Sequence, residues 1–203
     1  MKRGQFVTFE GIDGAGKSSQ IGALESFLKE AGLEVVRTRE PGGTPLAEKI
    51  RALLLNDPMN VVTETLLFFA SRSEHIADVI EPALSRGAWV LSDRFTDATF
   101  AYQVGAKGYS AHDVETLETL VQGTLQPDHT VLFDLSPRLA AERLAASRSA
   151  DRFEREDEAF FAAVRSAYLD RARRFPGRFT ILDAGQDVAS ITETLLLEAQ
   201  TWL

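Results

Sequence analysis

The stretch Phe6-Val7-Thr8-Phe9-Glu10-Gly11-Ile12-Asp13-Gly14-Ala15-Gly16-Lys17-Ser18-Ser19 most limits what this chain can fold into. It reads as a short buried strand, a glycine-rich turn and the start of a helix. Gly11, Gly16, Lys17 and Ser18 fit the phosphate-loop spacing of Gly, four residues, Gly-Lys-Ser/Thr. Glycines let backbone wrap closely around an anion. The amides from Gly11, Ile12, Asp13, Gly14, Ala15 and Gly16 to Ser18 and Ser19 form a nest for phosphate oxygens. The helix that opens at Lys17 adds its positive end. Lys17 supplies a point charge to the outer phosphates, and the Ser18 hydroxyl is a magnesium ligand in such loops. A strand that feeds a phosphate loop and a helix implies a parallel sheet.

The rest of the chain repeats that alternation. Ile21, Leu24, Phe27 and Leu28 recur at helical spacing up to Gly32. The segment from Leu33 to Arg39 is a second strand, followed by the turn Glu40-Pro41-Gly42-Gly43-Thr44, whose proline suits a cis bond. Thr44 or Pro45 opens a helix through Leu55. The segment 61–85 is a long apolar-periodic helix with Leu66, Leu67, Phe69, Ile76 and Ile80 toward the core. Trp89 to Arg94 is a third strand, and part of Phe95 to Tyr109 is a loop. A helix over Ala111 to Gln122 precedes a fourth strand, His129 to Leu135. Ser136-Pro137 starts a helix to about Ala146. The polar, charged segment of about 147–155 reads as a mobile lid. A helix over Asp157 to Arg174, a fifth strand over Phe179 to Asp183 and a last helix over Val188 to Trp202 complete the chain. The expected architecture is a single α/β domain over residues 1–203. It is a three-layer phosphate-loop NTPase fold, a five-stranded parallel sheet with helices on both faces. Ligands of such sheets bind at the carboxyl ends of strands. Gly11, Arg39, Asp93 and Arg94 all sit at such ends.

Composition removes several classes. A net charge of −8 over 203 residues argues against a general nucleic-acid surface. The absence of cysteine excludes disulfides and thiolate metal sites and suits a reducing cytoplasm. Met1 to Gln5 lead directly into the first strand, which leaves no room for a signal peptide. No apolar run approaches membrane-spanning length. His75, His112 and His129 lack metal-ligand spacing and read as structural.

A phosphate loop alone also fits GTPases and transport ATPases. The Asn-Lys-x-Asp guanine reader is missing, since the only asparagines are Asn56 and Asn60. The Leu-Ser-Gly-Gly-Gln signature is missing too. Extra arginines at strand ends and an arginine-bearing lid suit phosphoryl transfer onto a second anion, with water kept out. Kinases of small nucleotides, deoxynucleoside kinases and a non-catalytic nucleotide sensor remain as readings. A deoxynucleoside kinase wants a carboxylate base on the second strand, where this chain carries Arg39. A sensor has no need of an acceptor-phosphate clamp.

Over nearly its whole length the chain resembles the thymidylate kinase family. The resemblance rests on Phe9 to Ser18, Thr38-Arg39-Glu40-Pro41-Gly42-Gly43-Thr44, Leu66-Leu67-Phe68-Phe69-Ala70-Ser71-Arg72, Asp93-Arg94-Phe95, Ala101-Tyr102-Gln103 and Asp151-Arg152-Phe153-Glu154, in that order. It implies phosphorylation of dTMP to dTDP with ATP and Mg2+ by in-line transfer, a supply step for dTTP in DNA replication. It also implies a homodimer packed through helices, and the apolar segment around 60–85 could serve. Phe68 would stack on thymine, and Arg72, one helical turn on, would donate to the base. Arg39 and Arg94 would clamp the dTMP phosphate, and Asp93 would help organise magnesium. Asp13 would face the sugar or phosphate. Tyr102 and Gln103 would line the sugar and base side, with Tyr102 crowding a 2′-hydroxyl. Gly14 in the loop, with Arg148 and Arg152 in the lid, resembles the bacterial style, in which the lid supplies the arginine. Phe95 and Ala98 depart from the Tyr or His and the Ser common at those places, which leaves Thr99 as a base-side donor.

Overall fold

The computed structural model describes residues 3–145 and 157–203. Five parallel strands, β1 (Phe6–Glu10), β2 (Val35–Arg39), β3 (Trp89–Asp93), β4 (His129–Asp134) and β5 (Phe179–Asp183), lie in the order β2-β3-β1-β4-β5. The phosphate-loop strand is central, and all five of its residues are buried. Its register pairs Phe9 with Asp93 on one side and Glu10 with Leu132 on the other. β3 pairs Asp93 with Arg39 of β2. The carboxyl ends of these strands therefore form one edge, as the alternation of strands and helices predicts.

Strand residues alternate between the two faces. Val7, Phe9 and Leu91 join a core with Ile21, Leu24, Ile191 and Leu195, from α1 (Lys17–Glu30) and α9 (Val188–Gln200). Phe6 and Val90 join a second core with Ile76, Ile80 and Leu84. Helices thus cover both faces. Most start on a side-chain cap that satisfies an otherwise orphaned amide. Thr44 caps α2 (Pro45–Asn56), and Asn60 caps α3 (Val61–His75). α4 (Glu81–Ser85) continues α3 beyond a π-helical segment over Ile76–Ile80. Ser110 caps α6 (Ala111–Gln122), Asp157 caps α8 (Glu158–Arg174) and Asp187 caps α9. α7 (Pro137–Ala145) opens on its proline. No helix among the described residues is long and apolar enough to cross a membrane.

The structure corrects several local expectations. Leu66 is half exposed rather than facing the core, and Leu67 is only partly buried. Helical periodicity marks an apolar face without saying whether the same chain covers it. The stretch after β3 is helical through α5 (Thr96–Thr99) and a π-helical segment over Phe100–Ala106. The expected loop is confined to the residues after that segment, where Gly108 takes φ 68°, while Gly105 inside it permits close packing: a Cβ there would lie 2.4 Å from the Ala167 Cβ of α8. β2 begins at Val35, two residues later than its apolar pattern suggests, and β3 stops at Asp93, before Arg94. The Glu40–Pro41 bond is cis.

Candidate active site

The phosphate loop joins β1 to α1. Gly11 lies so close to β4 that a Cβ would sit 2.6 Å from the Phe133 carbonyl oxygen. Gly16 precedes α1 at φ 86°, a conformation that costs glycine little. The Lys17 ammonium is buried and donates to the Gly11 and Ile12 carbonyls, at 3.1 Å each. Burial, together with the Arg94 charge, lowers its pKa, against the pull of Asp13, Asp93 and Glu10. Ser18 and Ser19 are exposed at the start of α1.

A cavity opens beside the loop. Its lining runs from Asp13 and Arg94 at the loop end to Phe68, Arg72 and Thr99 at the far end. Pro41, Leu55, Phe95 and Ala98 supply apolar wall, and Tyr102 and Gln103 project from the π-helical segment. At the loop end Arg94 Nη2 donates to Asp13 Oδ1 at 2.9 Å and to the Tyr102 hydroxyl at 3.2 Å. Burial alone would raise the Asp13 pKa. The charges of Arg94 and Lys17 outweigh it and bring the carboxyl down to about 2. Burial pushes the Tyr102 hydroxyl up, so it stays a protonated donor. Asp93 Oδ1 is buried and has no hydrogen-bond partner among the described residues.

At the far end Arg72 is 1% exposed. Its Nε donates to Glu40 Oε2 at 2.8 Å and its Nη2 to Thr99 Oγ1 at 3.1 Å. Its Nη1 is buried and has no hydrogen-bond partner among the described residues. Glu40 is held from its other oxygen by His75 Nδ1 at 2.9 Å, and His75 Nε2 meets the Thr38 hydroxyl at 2.6 Å. The guanidinium is thus fixed with one donor unsatisfied, and a buried donor in that state favours any ligand that brings an acceptor.

The cavity therefore gathers Asp13, Phe68, Arg72, Arg94, Thr99, Tyr102 and Gln103, all expected as substrate-side residues. Arg39 lies elsewhere: it is half exposed and pairs with Glu48 at 2.9 Å. Besides Arg72 and Arg94 the lining includes Arg51, whose Nη1 donates to the Pro41 carbonyl at 2.9 Å. Arg148 and Arg152, with the expected lid at about 147–155, lie outside the described residues. Sequence reasoning missed Glu40 and Arg51. Glu40 sits in a quoted motif, but nothing local ties it to Arg72, 32 residues away. Arg51 falls one helical turn from Leu54 and Leu55 on α2 and looks like an ordinary solvated charge.

A family model described as thymidylate kinase matches residues 9–195. The chain belongs to the thymidylate kinase family. It is 56% identical to the thymidylate kinase of Methylobacillus flagellatus over 194 residues, which covers 96% of each chain. It is 56% identical to that of Paraburkholderia xenovorans over 199 residues, 96% of this chain and 97% of the relative. The crystal structure of thymidylate kinase from Ehrlichia chaffeensis superimposes with a TM-score of 0.80 at 31% identity, covering 97% of this chain and 99% of that one. Membership of the thymidylate kinase family agrees with the five-stranded parallel sheet and with the position of the phosphate loop at its centre.

Proposed function

We propose that this chain transfers the γ-phosphoryl group of ATP to dTMP, with dTDP and ADP as products. The observation that carries the reading is the unsatisfied Arg72 Nη1 at one end of a cavity whose other end holds Arg94 beside the phosphate loop. A nucleoside monophosphate has the matching polarity, a base acceptor at one end and a phosphate at the other. Phe68 stacks on the base, and Arg72 and Thr99 read its carbonyl edge. Tyr102, Gln103 and Asp13 face the sugar. Arg94, with Arg51 on the wall, holds the acceptor phosphate, and Arg39 joins the clamp only by leaving its pair with Glu48. Gly11 to Ser19 cradle the ATP phosphates, and Lys17 meets the charge that moves between them in the in-line step. Gly14 leaves the loop without an arginine, and Arg148 and Arg152 complete the reading as the lid's contribution within a single domain.

Magnesium fits this set. Asp93 Oδ1 is a buried, unpartnered hard oxygen, and Ser18 Oγ opens to the loop. Mg2+ takes few protein ligands and fills its shell with phosphate and water oxygens. When bound, it neutralises phosphate charge. An active dimer is part of the reading. Leu46, Leu53, Val62 and Leu66 leave an apolar face exposed on α2 and α3, which pack together, and a second copy would cover it. Glutamate at Leu53 and Leu66 should shift the sedimentation coefficient from dimer to monomer. An unchanged coefficient moves the interface elsewhere. A cysteine-free composition supports work in the cytoplasm.

Base selectivity tests the substrate. Arginine only donates, so Arg72 accepts thymine and uracil, which present an oxygen, and rejects cytosine, which presents an amino group. A buried donor left unpaired rejects the wrong base by about four orders of magnitude. The thymine methyl is worth only about 1–3 kcal/mol. The expected order in kcat/KM is dTMP, then dUMP moderately lower, then dCMP very poor, with dGMP and dAMP failing on size as well. Phe68→Ala should weaken dTMP and dUMP alike, whereas Arg72→Ala should erode discrimination against dCMP. A wild-type preference for dCMP or a purine nucleotide overturns the dTMP assignment.

A further inference from the structure

Arg94 is the only non-glycine residue with a positive φ, 72°, among the described residues. Side chains disfavour that region, and such a residue persists only where its surroundings hold it. Here they hold it on both sides. The Arg94 amide donates to the Phe9 carbonyl at 3.0 Å. The Ser92 hydroxyl donates to the Arg94 carbonyl at 2.7 Å, and the Phe95 amide donates to Glu10 Oε1 at 2.7 Å. The side chain is held from α8: Arg94 Nη1 donates to the Tyr168 hydroxyl at 2.9 Å, and that hydroxyl donates to Glu10 Oε2 at 2.9 Å.

With Glu10 ionised, the direction of these bonds is fixed. A guanidinium only donates, so the Tyr168 oxygen accepts from it and must send its one hydrogen to Glu10. Glu10 then accepts on both oxygens, one for the backbone that follows Arg94 and one for the hydroxyl that holds its side chain. Glu10 and Tyr168 are fully buried, and neither lines the cavity. We propose that Glu10 and Tyr168 are positioning residues that fix the left-handed backbone of Arg94 and aim its guanidinium at the acceptor phosphate. Burial, with the Asp97 charge behind it, pushes the Glu10 carboxyl up to about 8. Arg94, the Tyr168 hydroxyl and the Phe95 amide pull against that rise, so the ionised form that accepts on both oxygens is held by the same groups it positions. The residue at position 168 thereby shapes a corner built 74 residues earlier in the chain.

The proposal rests on the reading of Arg94 as a phosphate ligand, and one set of variants separates the two. Tyr168→Phe keeps the ring and removes only the hydroxyl. It should lower kcat/KM for dTMP by about tenfold to a hundredfold, the scale of a misplaced catalytic contact, with KM for ATP within about twofold of wild type. Glu10→Gln should act in the same direction, since an amide cannot accept on both sides. In an Arg94→Ala background, Tyr168→Phe should cost nothing further beyond about twofold. Calorimetric dTMP binding runs the same cycle where turnover becomes too slow to follow. A merely structural role for the hydroxyl would persist in that background. An undiminished loss there, or a Tyr168→Phe enzyme with wild-type kcat/KM, overturns the positioning role alone. Wild-type kcat/KM and dTMP affinity in Arg94→Ala itself overturn the phosphate-ligand reading and this proposal with it.

Discussion

Lys17→Ala is expected to lower turnover by at least about two orders of magnitude, roughly 3 kcal/mol of transition-state stabilisation. The ammonium is turned into the loop, where its hydrogen bonds to the Gly11 and Ile12 carbonyls hold it. Around it stand Asp13, Asp93 and Glu10, which favour the charge, and Arg94, which opposes it. A cation kept in a confined, partly desolvated place acts more strongly on phosphate oxygens than one in water. It also needs no reorganisation when charge shifts from one phosphoryl oxygen to the next. Alanine removes that charge and leaves β1 and α1 intact, because the apolar contacts of both elements lie on the sheet side. The purified variant should therefore melt close to wild type while its kcat collapses. Near-normal kcat would remove Lys17 from the chemistry.

The second large effect is on stability. Asp97→Ala should cost about 3–5 kcal/mol, the range for stranding buried charge by removal of its partner. Asp97 is fully buried on α5. Arg171 Nε donates to it at 2.7 Å, and Arg178 donates through both terminal nitrogens at 2.8 and 3.0 Å. The two arginine side chains are only 8% and 12% exposed and lie against aromatic rings. Arg171 lies over Phe100 at 3.9 Å and over Phe175 at 4.6 Å, and Arg178 lies over Phe179 at 4.7 Å. One carboxylate thus joins α5, α8 and the segment before β5. A domain of this kind has only about 5–15 kcal/mol to lose, so the variant should unfold at much lower urea. Asp97→Asn keeps one acceptor and should fall between alanine and wild type. A loss under about 1 kcal/mol for alanine would mean that the two arginines find other partners.

These two positions divide what could be read in advance from what could not. Lys17 is legible because its chemistry is local. Glycine, lysine and serine at fixed spacing fold into a nest whatever surrounds them. The parallel sheet is legible for a similar reason, since short apolar strands alternating with helices admit few other arrangements. Thr44 and Asp157 stand at helix starts in the sequence, and in the structure their side chains, like those of Asn60 and Asp187, serve amides three residues away. The motif residues Phe68, Arg72, Arg94 and Tyr102 were legible as a set, and the cavity gathers all four.

Tertiary structure decided how those residues are held. Arg72 takes its orientation from Glu40, Arg94 from Tyr168 and Glu10, and Arg171 from Asp97. Each partner lies tens of residues away in the chain. A carboxylate or hydroxyl at such a distance leaves no periodic or spacing signal, because the pairing is set only when the sheet brings the strand ends together. The exposure of Leu66 has the same origin. Periodicity fixes which side of a helix is apolar, while the neighbours that the fold supplies determine whether that side is covered. Local spacing thus determined the phosphate loop, the strands and the helix starts. The order of strands around β1 determined which buried charges meet, and so the shape of the site.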